Sequence, residues 1–224
     1  LTFTPTDGTL TLTVTGSVTE AQLEAGSVAT RYQWANTVAD YDTVGFNKYL
    51  KFDGVDDGMS TAAVNFTATD KMTVFAGVIK QNNNICIITE LSSNTGSSNL
   101  GSFVLHTHGG YRWAVYGIGG LGTDDTASIP NPSSTVITAT CDFAGATAAD
   151  ELSVRVNAVT IAQSISGSAN TGNFGNYPLF IGSRNNSTYF FSGNIYSLII
   201  RGALSSDAQI INAETYVNSK TGAY

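Results

Sequence analysis

The chain is poor in charge. Only 12% of its 224 residues are Asp, Glu, Lys or Arg, against about 25% in a typical soluble domain. Ten basic residues form no run, and seventeen acidic ones bring the net charge to −7. Nothing is clustered to neutralise a phosphate backbone, so nucleic acid is not an expected partner. Proline is scarce at four, and cysteine, histidine, methionine and tryptophan number two each. Two cysteines make no disulfide scaffold, and their spacing from His106 and His108 fits no zinc pattern. Cys86 and Cys141 each sit in an apolar run, where a thiol behaves as a small hydrophobe; whether they pair is a question of distance. No apolar stretch approaches the roughly 20 residues that span a bilayer, so membrane insertion is not expected. The first residues alternate like a strand and lack the basic start and apolar run of a secretory signal. Synthesis in the cytoplasm, a processed product and a fragment of something longer all fit that beginning.

Catalytic signatures are missing as well. Glycoside hydrolysis needs two carboxylates flanking one bond, and no strand carries a Glu-x-Asp arrangement. Asp124-Asp125 and Asp150-Glu151 are adjacent pairs, which on a strand would face opposite sides; they are read as loops. Neither a Gly-x-Ser-x-Gly elbow nor a phosphate-cradling Gly-x-x-x-x-Gly-Lys loop occurs. The chain is not expected to be an enzyme.

Thr, Ser, Asn and Gly take the place of the missing charges, giving a neutral, polar surface suited to sugars or protein edges. The apolar fraction of 42% is that of a globular protein. A chain of this length buries roughly three quarters of its unfolded surface, enough to need no metal or disulfide. Period-two alternation dominates. In Thr9–Gly16, Leu10, Leu12 and Val14 face one way and threonines the other. Lys71–Lys80 puts Met72, Val74, Ala76 and Val78 on one face, while Phe75 and Ile79 make the other apolar too. The same pattern fits Asn84–Leu91, Ser102–His108, Tyr111–Ile118, Thr135–Phe143, Leu152–Asn157, Pro178–Ser183 and Asn194–Gly202. Gly, Asn, Asp and Pro separate these runs, as hairpins and short loops require; His108-Gly109-Gly110-Tyr111 is a tight hairpin. About ten such strands without alternating helices predict two packed antiparallel sheets, an all-β sandwich. One helix is predicted near the end. Ser206-x-x-Gln209 forms a capping box, Ile210, Ala213 and Val217 follow at helical spacing, and Gly222 ends it.

Two segments carry a family resemblance. Tyr49–Gly58, YLKFDGVDDG, resembles the opening of laminin-G-like and concanavalin A-like domains, an apolar strand running into a Phe-Asp-Gly turn. Pro178–Ile210 resembles their closing pattern of an Ile-Gly strand, a loop, a Gly-led strand and a short helix. The resemblance implies a concanavalin A-like jelly roll over residues 35–224, with 1–34 an N-terminal strand and connector that end an upstream module. Ala21–Gln33, AQLEAGSVATRYQ, is similar to segments of phage and prophage virion proteins, where it joins such a module to a lectin-like one. That implies a lectin-like module made in a bacterial cytoplasm, displayed on a virion surface and attaching to host or environmental polysaccharide. Other virion subunits and further copies of the chain, as a homo-oligomer, are then its expected partners. The alternative is a capsid or tail decoration protein that makes subunit contacts without binding glycan; there, the Thr9–Gly16 strand would add to another sheet edge.

The candidate carbohydrate-binding residues are His106, His108, Tyr111, Trp113, Asn185, Asn186 and Tyr189. Aromatic faces stack on sugar rings, while imidazole and amide groups pair with hydroxyls. Alternation puts Tyr111 and Trp113 on one strand face and Tyr116 on the other, and gives His106 and His108 a shared face. Trp113 as sandwich core and the Asn-rich loops (185–186 and 82–84) as plain turns are the competing readings. Asp53, Asp56 and Asp57 are the candidate metal ligands, for calcium, since a hard cation takes several oxygens. Aspartates also make such turns unaided.

Overall fold

A computed structural model describes residues 48–93, 101–109, 112–117, 121–125, 129–167 and 171–224, with 121–125, 163 and 166 as backbone. They lie in one unit, Asn47–Tyr224. The Thr9–Gly16 strand, the connector, the 34/35 boundary and Tyr111 fall outside the described residues.

Two antiparallel sheets form a sandwich. The six-stranded sheet runs, in spatial order, β1 (Leu50–Asp53), β13 (Ser192–Arg201), β3 (Lys71–Lys80), β8 (Ser133–Asp142), β9 (Leu152–Val156), β10 (Val159–Thr160). The seven-stranded sheet runs β11 (Gln163–Ser166), β7 (Leu121–Asp125), β6 (Arg112–Gly117), β5 (Phe103–His108), β4 (Ile87–Leu91), β12 (Asn176–Ile181), β2 (Met59–Asn65). One helical turn, α1 (Ala148–Glu151), precedes β9, and a longer helix, α2 (Asp207–Thr221), ends the chain. Asp124-Asp125 therefore belong to a strand and Asp150-Glu151 to a helical turn, where loops were expected. No helix among the described residues is long and apolar enough to cross a membrane.

The alternation read from β3 is its structure. Met72, Val74, Ala76 and Val78 point between the sheets and join Leu105, Trp113, Ile137 and Val154 in the main core. Phe75, on the other face, packs with Val136 and with Val217 of α2. A strand apolar on both sides thus sits between the core and the helix. The Ser206 side chain accepts from the Gln209 amide, and Gln209 Oε1 accepts from the Ser206 amide at 3.0 Å. Gly222, at φ +62°, closes the helix by donating its amide to Asn218 O at 2.7 Å. Glu214 of α2 is buried, taking Thr138 Oγ1 and Arg155 Nε at 2.8 Å each.

Lys80 continues the inward face of β3 and is wholly buried, its ammonium donating to Asn131 Oδ1 at 2.9 Å. Asn131 in turn reaches Asn83, and Asn82 Oδ1 takes the Asn84 amide at 3.0 Å, so the Asn82–Asn84 turn is spent on structure. Cys86 and Cys141 are both buried and free. Burial pushes the Cys86 thiol up to about 11 and raises Cys141 still further, so both stay protonated and inert at neutral pH.

Candidate functional site

The outer face of the seven-stranded sheet is set by the register of β5 on β6. Phe103 and Leu105 point inward beside Trp113 and Val115. Val104, His106 and His108 therefore point outward, opposite Tyr116, Ala114 and Arg112. Trp113 is 0% exposed, which corrects its assignment as a sugar-stacking residue: it fills the core. Tyr116 is the ring beside the histidines, its centroid 4.8 Å from His106 and 6.4 Å from His108.

His106 is 7% exposed. Its Nδ1 lies 3.0 Å from Thr107 O, and since a carbonyl only accepts, Nδ1 carries the proton and donates. Nε2 is left as an acceptor, buried and without a partner among the described residues. Burial pushes the imidazole pKa down to about 4, against the Thr107 bond and with the help of the Arg184 and His108 charges. The ring is neutral at pH 7. His108, by contrast, is exposed at the strand end.

β4 adds a carboxylate to this face. Ile87 lies opposite His106, a bulge follows, and Glu90 lies opposite Val104. Glu90 is 0% exposed. Ser92 Oγ donates to its Oε1 at 2.7 Å and Arg184 Nε to its Oε2 at 2.8 Å. Arg184 follows β12, in the loop the sequence marks as amide-rich. Asn185, Asn186 and Tyr189 there all adopt positive φ, near +50°; asparagine tolerates this region better than most residues, and the tyrosine is held in it by its neighbours. The Arg184 amide donates to Thr188 O at 2.8 Å, and the Ile87 amide to Tyr189 O at 2.9 Å, which sews the loop to β4 beside His106. The guanidinium stands over the exposed Tyr189 ring, 5.0 Å from its centroid. Nε makes its one hydrogen bond to protein among the described residues.

The two asparagines divide. Asn186 Nδ2 donates to Ser60 Oγ and its Oδ1 takes Ser183 Oγ, each at 3.2 Å, so its amide holds the loop. Asn185 is exposed. The aspartate trio lies next door: a Cβ at Gly58 would meet Ser183 Oγ at 2.2 Å and Asn186 Oδ1 at 2.7 Å. Asp53 Oδ1 accepts the Val55 amide at 2.7 Å and the Asp56 amide at 3.4 Å, while Asp57 Oδ2 accepts the Asp53 amide at 3.0 Å. These amides, Val55 first, hold the Asp53 carboxyl below its usual range. One oxygen from each of the three still falls within 4.8 Å of the others. That geometry suits a shared hard cation, but three exposed carboxylates fall short of the six to eight oxygens calcium takes, and water must supply the rest.

The histidines and the amide loop, separate in sequence, thus meet on one side of the seven-stranded sheet, through Ile87 and the Glu90–Arg184 pair. Glu90 is the residue sequence reasoning missed; its signal was a lone carboxylate inside the apolar run of Asn84–Leu91.

No family model matches the chain, and no curated protein matches it. Solved structures do. A heptameric pentraxin resembling serum amyloid P from Limulus polyphemus superposes with a TM-score of 0.54 at 9% identity, over 75% of this chain and 80% of that one. The NanB sialidase from Streptococcus pneumoniae gives 0.52 at 11% identity, over 72% of this chain but 26% of the enzyme. A protein from Bacteroides ovatus named for carbohydrate binding gives 0.51 at 14% identity, over 72% and 46%. At such identities the likeness is one of fold: this chain shares their two-sheet β-sandwich.

Proposed function

We propose that this chain is a non-enzymatic glycan-binding module, and that the Arg184–Tyr189 loop beside the seven-stranded sheet is the binding surface. The observation that carries the reading is Arg184, held over an exposed tyrosine ring by a wholly buried carboxylate. A stacking ring beside preset donors is what sugar recognition needs. Asn185, in the same loop, is exposed. Glu90 is engaged at both oxygens, which suits an anchoring role rather than acid–base work. The Limulus pentraxin and the Bacteroides ovatus protein lend the fold-level precedent.

The biological setting we infer is a phage virion surface, with polysaccharide as the target and a homo-oligomer as the displayed state. The similarity of Ala21–Gln33 to virion-protein connectors supports it. The test is a glycan array carrying bacterial surface polysaccharides, probed with the whole chain and with Tyr189→Ala, in calcium and then in chelator. Selective binding that Tyr189→Ala abolishes is expected. Absence of binding at millimolar glycan overturns the reading in favour of particle decoration, and loss on chelation brings the Asp53–Asp57 turn into the site.

A further inference from the structure

The guanidinium of Arg184 is half used. Its Nε is fixed on Glu90 Oε2 at 2.8 Å, and among the described residues neither Nη nitrogen bonds protein. The side chain keeps 19% of its surface open, next to a tyrosine that keeps 44%. The Nη edge therefore offers parallel N–H donors in a rigid plane, with no acceptor of their own. Orientation has been settled in advance: Glu90 cannot turn, being wholly buried and tied also to Ser92 at 2.7 Å.

We infer that this surface selects an acidic sugar, whose ring carboxylate sits on the Nη fork of Arg184 while its ring packs on Tyr189. The inference rests on the glycan-binding reading and sharpens it. A carboxylate is planar, bears no proton and matches the fork with two parallel bonds, each charge-assisted and about twice as strong as a neutral one. A sugar hydroxyl brings a proton that the guanidinium cannot accept, so one of its capacities is wasted there. A sulfate can also meet the fork with two of its oxygens, so sulfated glycans are the competing class that the test includes. His106, neutral at this face, adds no charge of its own; Nε2 is an acceptor and would repel a carboxylate, which leaves Arg184 as the anion's place.

The experiment uses the whole chain against an array of uronic-acid and sialic-acid oligosaccharides, each printed beside its carboxyl-reduced form, with sulfated and neutral glycans alongside. Hits are followed by calorimetry. Binding to an acidic glycan that weakens on the order of tenfold to a hundredfold on carboxyl reduction is the expected result. The Glu90→Gln/Arg184→Gln double variant removes the fork without stranding a buried charge, and in it the acidic and reduced forms are expected to bind alike. Equal binding of acidic and reduced forms to the unaltered chain overturns the acidic selectivity and leaves glycan binding standing. Preference for sulfated over carboxylated members overturns the choice of a carboxylate as the anion. Acidic selectivity that survives in the folded double variant moves the anion away from Arg184 and overturns the assignment. Binding to no glycan at all overturns both readings together.

Discussion

Arg184 and Glu90 meet at 2.8 Å although 94 residues separate them, and the pair fixes the loop after β12 to β4. Removing one partner of a buried ion pair commonly costs about 3–5 kcal/mol. Arg184→Ala is expected to lose about 3 kcal/mol, toward the low end because the guanidinium keeps some contact with water. The Glu90→Gln/Arg184→Gln variant should lose less, since no charge is stranded. Urea unfolding of the three proteins at pH 7 decides it; equal losses in both variants would mean that the loop, not the charge, sets the cost.

Much of this architecture was legible, and the reasons differ by element. β3 was read residue for residue, because a central strand buried on both faces carries an uninterrupted apolar run. α2 was read from its capping box, a local signal independent of packing. β2 was not: it lies at a sheet edge with every residue but Val64 exposed, so burial imposes no alternation on Met59–Asn65. β10 and β11 are short and polar for a similar reason. In the site, parity grouped His106 with His108 correctly but could not say which face was inner. Residues 112–117 are apolar on both sides, and Trp113 went with Val115 into the core while Tyr116 went outward. The Glu90–Arg184 pair was invisible because it depends on the β4–β12 pairing, and nothing local announces a long-range register.

His106 predicts a pH dependence with a definite sign. Its folded pKa of about 4 lies below the ordinary 6.5, so between those values the unfolded chain binds the proton more readily. The contribution is complete above about pH 6.5 and lost as pH falls through about 4, amounting to about 3 kcal/mol. Carboxylates titrate in the same range, so the measurement is a difference. His106→Gln should flatten the fall in unfolding free energy from pH 7 to pH 4 relative to the parent chain. Parallel curves would show that the imidazole is not held neutral by burial.

Calcium at the Asp53–Asp57 turn is expected to bind weakly, on the order of 0.1–1 mM, because water must complete the shell around three exposed carboxylates. Asp53→Asn isolates the charge: its carbonyl oxygen can still take the Val55 amide, so the turn should survive while the cation is lost. Thermal melts in calcium and in chelator should differ for the parent and coincide for the variant. Coincident melts for the parent at about 10 mM calcium would leave the trio as turn chemistry alone.

Gly77 fixes how closely α2 approaches the sheet. A Cβ there would fall 2.1 Å from Thr221 Oγ1 and 2.7 Å from Val217 Cγ1, well inside contact distance. The helix cannot retreat cheaply, since Val217 is wholly buried on Phe75 and Glu214 is anchored to Thr138 and Arg155. Gly77→Ala should therefore destabilise the fold by about 1–3 kcal/mol through overpacking. The nearest clash is with a hydroxyl, so Thr221→Ala introduced into Gly77→Ala should recover part of the loss, although Thr221→Ala alone removes the Oγ1 bond to Val217 O. A double-mutant cycle by urea unfolding gives the coupling. Simple additivity would mean that the helix shifts as a body and that the close packing at Gly77 is not what positions it.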